Sequence, residues 1–559
     1  MHTGDTINAP PDAGGATPAN ITAARRPCKA TPALVHPGPT TGERCAPVLD
    51  NAGTIRCTLP LTRHRLSFGH RSSFGRGHAT GGAPPGGVYC RGPCAFLQDG
   101  TLAQTNTGLP EELPPVRPAW RRKGTVYVVG CDGLTLDVIA PMIREGDLPH
   151  LARIEREGCH GRLATISPTN SSVIWTSIST GCHYRDHGID GFDYYQLFGK
   201  GITRSSLRTA KKLGLKGLAK ALQRVGLMSS HLFSGRDVKR KRFWEILSDA
   251  GWRVGVVNWW HAWPAQPVNG FIVSDRLLHW RLTAKSNRPR PEKQLTFPPE
   301  LLDEASKVAI SPDEVPPDEI RRFANVTEAE AQEFLDSDFA RHEVRSELRF
   351  VIALDLSCRR VFEHCLRAYP DLALAAVYFR GPDVAQHCAF QYAPWARHVP
   401  VSAEERRRFG QVVPETYRMA DRFMGSVLAR MRPEDTLFVV SDHGFGFRKE
   451  RGKYTHLRGQ PPGVLYAFGN EFLPGKQIAD ADIYDVAPTL LRICGFPPAR
   501  EMPGSCLEDI LTPEFRRERP PLEPIASYGA PRRSDEVLER SRDLDEKVTE
   551  QLRALGYFD

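Results

Sequence analysis

The 559-residue chain lacks any run of 18 or more apolar residues, so its sequence offers no membrane-spanning helix. Its opening residues, MHTGDTINAPPDAGG, lack the basic start and apolar stretch of a secretory leader, and no such signal is expected. An even, closely spaced set of cysteines is also missing. The 13 Cys are odd in number and scattered from Cys28 to Cys506. That excludes a dense disulfide framework and points to reduced thiols in a cytoplasmic setting. Cys90 and Cys94 have the spacing of half a metal knuckle, but no second pair at zinc-finger spacing accompanies them. Charge of one sign is lacking too: 74 Lys and Arg stand against 65 Asp and Glu, a net charge of +9. Of these, 14 basic and 7 acidic residues fall within residues 1–123, leaving the rest near neutral. A body so balanced is not a nucleic-acid clamp, and no specific nucleic-acid binding is expected.

Residues 1–123 hold 16 of the 46 prolines and show no sustained period of two or 3.6. Such a segment cannot bury enough apolar surface to offset its ordering entropy, so a disordered basic arm is expected there. Periodic order starts at Gly124. TVYVVGCDG (125–133), WRVGVVNWW (252–260), LALAAVYFRGPD (372–383) and TLFVVSDHG (436–444) read as buried strands. Helical patterns at 356–369, 405–431 and 485–495 alternate with them, as does the apolar run VIWTSISTG opened by SPTNSS. This rhythm predicts an α/β fold with a central, mainly parallel sheet and helices on both faces. Residues 195–242 and 284–345 break it and read as insertions capping the strand ends of a 124–522 domain. Residues 523–559 read as a C-terminal helical tail.

Three strands end in acids: Asp132, Asp383 and Asp442. In a parallel sheet all strand C-termini share one edge, so these acids can converge. His387 follows Asp383 by four residues, His443 is next to Asp442, and His456 lies thirteen residues further on. Singly, such an Asp is more often a turn former or helix cap. Jointly, three carboxylates and three imidazoles make two N/O cages suited to a pair of divalent ions, zinc or manganese. Such a pair clamps the attacking and leaving oxygens of a phosphoryl displacement. A hydroxyl beside the cages would serve as nucleophile, activated by a metal. Ser171 heads a predicted helix whose N–H groups would hold a phosphate, though Ser172 and Thr169 meet the same description.

The order of motifs resembles the type I phosphodiesterase/nucleotide pyrophosphatase family of the alkaline phosphatase superfamily. The resemblance rests on VVGCDGLTLDVI (128–139), SPTNSSVIWTSISTGCHYRDHGIDGF (167–192), VYFRGPDVAQHCAF (377–390), VVSDHGFGF (439–447) and THLRGQPPGVLYAFG (455–469). DVAPTLLRICGFPPAREMPGSCLEDIL (485–511) and the terminal EQLRALGYFD (550–559) match its closing segments. It implies that Asp132, Asp442, His443 and the nucleophile hold one ion, and Asp383, His387 and His456 the other. Counting back ten residues from Gly181 singles out Ser171 as the nucleophile; Asn170, just before it, stands where it can orient a phosphate oxygen, a task for which the family uses other residues. It further implies hydrolysis of a small-molecule phosphate ester through a phosphoseryl intermediate. Ser171-Ser172-Val173-Ile174-Trp175 lacks the sulfatase signature, and no Phe-Pro-Asn stretch of the animal nucleotide pyrophosphatases follows it.

Two other outcomes fit the same residues: a phosphotransferase or mutase that shields the phosphoseryl form from water, or a non-catalytic, metal-stabilised scaffold. Residues 203–242 carry 12 Lys and Arg and one acid, Asp237, with Leu215, Leu218, Leu222 and Val225 at helical spacing. A basic amphipathic helix of this kind is expected either to pack as a solvated lid or to touch an anionic membrane peripherally. Trp259, Trp260, His261 and Trp263 close a strand and either line a pocket or pack between cap and sheet. The sequence leaves the oligomeric state open.

Overall fold

In the computed structural model the described residues are 115–533, apart from 168, 199, 203–220, 223, 284–292, 338–342 and 457–458, together with Asp545, Val548 and Thr549. All belong to the unit Ala103–Asp559. Residues 1–114 of the expected arm, most of the expected helical tail, and Leu215 and Leu218 of the expected amphipathic helix lie outside them.

The strands in chain order are β1 (Val126–Cys131), β2 (Cys159–Ala164), β3 (Asp193–Leu197), β4 (Lys200–Ile202) and β5 (Met228–Leu232). Next come β6 (Val254–Val257), β7 (Gly270–Val273), β8 (Thr296–Phe297), β9 (Leu374–Phe379) and β10 (Thr436–Val440). The last four are β11 (Gly446–Arg448), β12 (Lys453–Thr455), β13 (Gly463–Phe468) and β14 (Lys476–Asp482). Nine of them form one sheet in the order β14-β2-β13-β10-β1-β9-β6-β7-β8. Its centre, β10-β1-β9-β6-β7, is entirely parallel. β13 runs antiparallel to both β10 and β2, and β8 closes the other end antiparallel to β7. The α/β expectation of a mainly parallel sheet covered by helices is met.

The central strands are buried along their whole length, which is why they read as unbroken apolar runs rather than alternating ones. Helices Phe243–Asp249 and Val344–Ala368 pack on β6 and β9, and Pro149–Glu157 packs on β13 and β2. Trp259, Trp260, His261 and Trp263 are all buried. Trp259 meets Trp175 edge-on, with ring centroids 5.3 Å apart, and also Phe243 and Trp244, so it is core.

The stretch 405–431, expected as one helix, forms two, Ala403–Phe409 and Val412–Arg430. Pro414 has no N–H to offer the carbonyl of Gly410, so a continuous helix would lose a bond there. Within the first insertion, β3, β4 and β5 make a separate antiparallel sheet in the order β4-β3-β5. Trp120 donates from Nε1 to the Ile493 carbonyl, and Arg122 pairs with Glu471. The eight described cysteines are free thiols, seven of them buried. Among the described residues no helix is long and apolar enough to cross a membrane.

Candidate metal centre

Register builds the site. Gly130 of β1 pairs with Val440 of β10, so Asp132 and Asp442 stand at the same height, two residues beyond their paired neighbours. The Asp132 amide still donates to the Phe379 carbonyl at 2.9 Å, which extends the ladder to the acid itself. Both side chains are fully buried. The Tyr378 hydroxyl donates to Asp132 Oδ2 at 2.5 Å, and Asp442 Oδ1 accepts from the Gly133 amide at 3.4 Å. Asp383 does not end its strand, as the sequence suggested. It lies in the first turn of the helix Gly381–Ala389 that follows β9, with His387 one turn later on the same helix.

Gly133 makes this junction possible. Its φ is +77°, and a Cβ there would come within 2.9 Å of Asp383 Cα and of Gln386 Nε2. Gln386 in turn donates to the Gly133 carbonyl at 2.8 Å, and the Tyr417 hydroxyl donates to Gln386 Oε1 at 3.1 Å.

His443 is the hub. Its Nδ1 lies 3.1 Å from the Gly444 carbonyl, which places the ring proton on Nδ1 and turns the Nε2 lone pair inward. Nε2 is 3.2 Å from Asp132 Oδ1, 3.4 Å from Asp442 Oδ2 and 3.4 Å from Ser171 Oγ. His456, directly after β12, stacks on His443 with ring centroids 3.9 Å apart and 11° between planes. His456 Nε2 is 3.8 Å and His387 Nε2 3.6 Å from Asp383 Oδ1.

Two groups thus offer ligand atoms within 4.8 Å of one another: Asp132, Asp442 and His443, and Asp383, His443 and His456. His443 belongs to both. His387 flanks the second, its ring centroid 5.0 Å from that of His456.

Ser171 is the first residue of the fully buried helix Ser171–Thr180. Asn170 is its N-cap, with extended backbone and Oδ1 accepting from the Val173 amide at 3.4 Å. The neighbouring hydroxyls differ. Ser172 Oγ is committed to the Gly191 carbonyl at 2.7 Å and to His261 Nε2 at 2.9 Å, away from the hub. Thr169 is buried, and among the described residues its hydroxyl has no hydrogen-bond partner.

The donor set fits divalent cations. Burial and then the charge of Asp132 hold the Asp442 carboxyl well above the usual carboxylate range. For Asp132, burial opposes ionisation, but His443 and the Tyr378 hydroxyl outweigh it and keep its pKa low. Burial, followed by the neighbouring His443 and His387, drives the His456 imidazole well down, so it is neutral and its lone pair is available. Among the described residues neither ring nitrogen of His456 has a hydrogen-bond partner. Crowded carboxylates and a neutral buried imidazole are a poor arrangement without a cation and a good one around it.

Sequence reading missed Tyr378, which steadies Asp132, and named His261 only as pocket lining or packing, not as the partner that occupies Ser172. A Tyr at the end of an all-apolar strand was the visible signal for the first. His261 sits at φ +58°, a conformation no local motif announces.

The sequence model of the type I phosphodiesterase / nucleotide pyrophosphatase family matches residues 126–457. No curated protein matches the chain. Among solved structures, the phosphonoacetate hydrolase of Sinorhizobium meliloti 1021 is 15% identical, with 58% of this chain and 57% of that one covered and a TM-score of 0.32. Murine ectonucleotide pyrophosphatase / phosphodiesterase 5, solved with AMP, is 12% identical over 70% of this chain and 100% of its own, with a TM-score of 0.35. A putative sulfatase from Bacteroides thetaiotaomicron is 11% identical over 69% and 74%, with a TM-score of 0.40. The family match spans more than half of the sequence and runs from the first of the ordered motifs into the fifth, through His456, so the chain belongs to the type I phosphodiesterase / nucleotide pyrophosphatase family.

Proposed function

We propose that the chain is a metal-dependent phosphoric ester hydrolase that acts on a small-molecule ester through a phosphoseryl intermediate on Ser171. The observation that supports this best is the 3.4 Å approach of Ser171 Oγ to Nε2 of His443, the residue common to both buried ligand groups. Asp132, Asp442, His443 and Ser171 would hold one divalent ion, and Asp383, His387 and His456 a second. Zinc suits these N/O donors, as does manganese. When bound, the ions supply charge neutralisation at the phosphoryl oxygens and lower the pKa of a hydroxyl.

The protein's own groups do the rest. Ser171 Oγ forms the new bond to phosphorus as the bond to the leaving oxygen breaks, and the serine proton leaves with the departing alcohol. Water then cleaves the phosphoserine and regenerates the hydroxyl. The first-turn amides of Ser171–Thr180 face the phosphoryl oxygens. Asn170, with Oδ1 occupied by the Val173 amide, has its Nδ2–H groups to orient one of them. Burial of Asp132, Ser171, Asp383, Asp442, His443 and His456 keeps bulk water from competing for these charges.

Turnover of bis-p-nitrophenyl phosphate by zinc- or manganese-loaded protein, before and after chelation, tests the proposal. Loss on chelation and recovery on reloading is expected; no turnover with either metal contradicts it. Product analysis with an added alcohol separates hydrolysis from phosphoryl transfer.

A further inference from the structure

The helix Gly381–Ala389 delivers Asp383 and His387 to the centre, yet its own N-cap residue, Arg380, makes no capping side-chain bond. The Arg380 guanidinium turns elsewhere, to His279 Nε2 at 2.7 Å and over the Trp260 ring at 4.7 Å. Pro382 supplies no donor. The leading amides are taken by a side chain 25 residues earlier in the chain. Asp355, in the middle of the helix Val344–Ala368, accepts from Gly381 N–H on both oxygens at 3.1 Å and from Arg380 N–H at 3.3 Å.

The approach is so close that a Cβ on Gly381 would sit 2.0 Å from Asp355 Oδ2. Asp355 is 5% exposed, and the space beside it is lined mainly by Leu356, Phe379, Pro382, Met419 and Phe423, with Arg359, which pairs with Glu363, at its side. An acid set in a mostly apolar wall and aimed at a helix N-terminus is a costly arrangement unless the helix needs it. Burial raises its pKa to about 7, against the lowering by the Gly381 and Arg380 amides.

We propose that Asp355 is a positioning residue of the centre: by capping the helix Gly381–Ala389 from the side, it fixes where Asp383 and His387 meet His456, and so sets the affinity of that one ion. This rests on the assignment of metal ligands proposed above. Outer groups that orient ligands act on metal affinity directly, typically by about 10- to 100-fold.

Calorimetric titration of the metal-free full-length chain with zinc tests it. Wild-type protein should bind two ions. In Asp355→Ala, one ion should weaken by about 10- to 100-fold while the other stays within about threefold. The weakened ion should be the one missing from His387→Ala. If Asp355→Ala does not fold, the isosteric Asp355→Asn keeps one acceptor and sets an amide donor against Gly381 N–H, so it should weaken the same ion to a lesser degree. Unchanged affinities for both ions, or an equal fall in both, overturns the proposal. A wild-type chain that binds no pair of ions overturns the metal assignment itself, whereas wild-type binding with an unaffected Asp355 variant overturns only the role of Asp355.

Discussion

The imidazoles of His443 and His456 lie face to face, 3.9 Å apart, and His443 belongs to both ligand groups whereas His456 belongs to one. Removing a shared ligand should therefore differ from removing a peripheral one. His443→Ala is expected to lose the ion it would hold with Asp132 and Asp442 and to weaken the other, whereas His387→Ala should lose only the other. Metal content per chain by plasma emission, together with zinc titration, checks this. Two ions retained in His443→Ala would contradict the shared geometry.

Ser171→Ala should lower turnover of bis-p-nitrophenyl phosphate by at least about 10³-fold while metal content stays within one ion of wild type. Ser172→Ala should act mainly through stability, because its hydroxyl is bound to Gly191 and His261 rather than aimed at the hub. Steady-state kinetics on the two variants distinguishes them. The reverse order of effects would move the nucleophile to Ser172.

Gly133→Ala places a side chain at φ +77° and within 2.9 Å of Asp383 Cα. The backbone penalty alone is about 1–2 kcal/mol, and the contact adds to it. Chemical denaturation should show at least that loss, accompanied by weaker zinc binding because Asp383 is what moves. A fully stable variant with normal zinc binding would refute the close packing.

His187 and His261 are buried and hydrogen-bonded to Ser177 and Ser172. Burial lowers both from the ordinary imidazole value of 6.5 to about 3. The unfolded chain takes up these protons below about pH 6.5 and the folded chain does not until about pH 3. Their stabilisation is thus complete above pH 6.5 and is lost progressively as the pH falls from there toward 3. Full titration of each is worth up to about 5 kcal/mol. Denaturation free energies at pH 7.5 and 5 should differ by a few kcal/mol, and His187→Gln should flatten that slope.

Much of this was legible because burial leaves a strong mark on composition. β1 and β10 are apolar from end to end, so the first carboxylate after each was bound to stand at the sheet edge, and Asp132 and Asp442 do. Asp383 was harder: FRGPD looks like a strand running on, and only the packing of Gly133 against it shows that a helix has begun. His456 follows a three-residue strand of a small hairpin, too short for a pattern. Asp355 was hidden altogether, because the helix it caps lies a quarter of a hundred residues away in sequence. Its one trace was an acid on the buried stripe of Val351, Leu354 and Cys358. Side-chain bonds that join distant elements leave no local periodicity.

The equal height of Asp132 and Asp442 carries a consequence for how the molecule assembles. Sliding β10 past β1 by a single residue would carry its acid about 3.3 Å along the sheet and turn it to the opposite face. If the proposed ions bind, their capture would report on strand alignment: only a correctly zipped sheet presents the full set of donors, so ions arriving during folding would reward the native register over its nearest competitors.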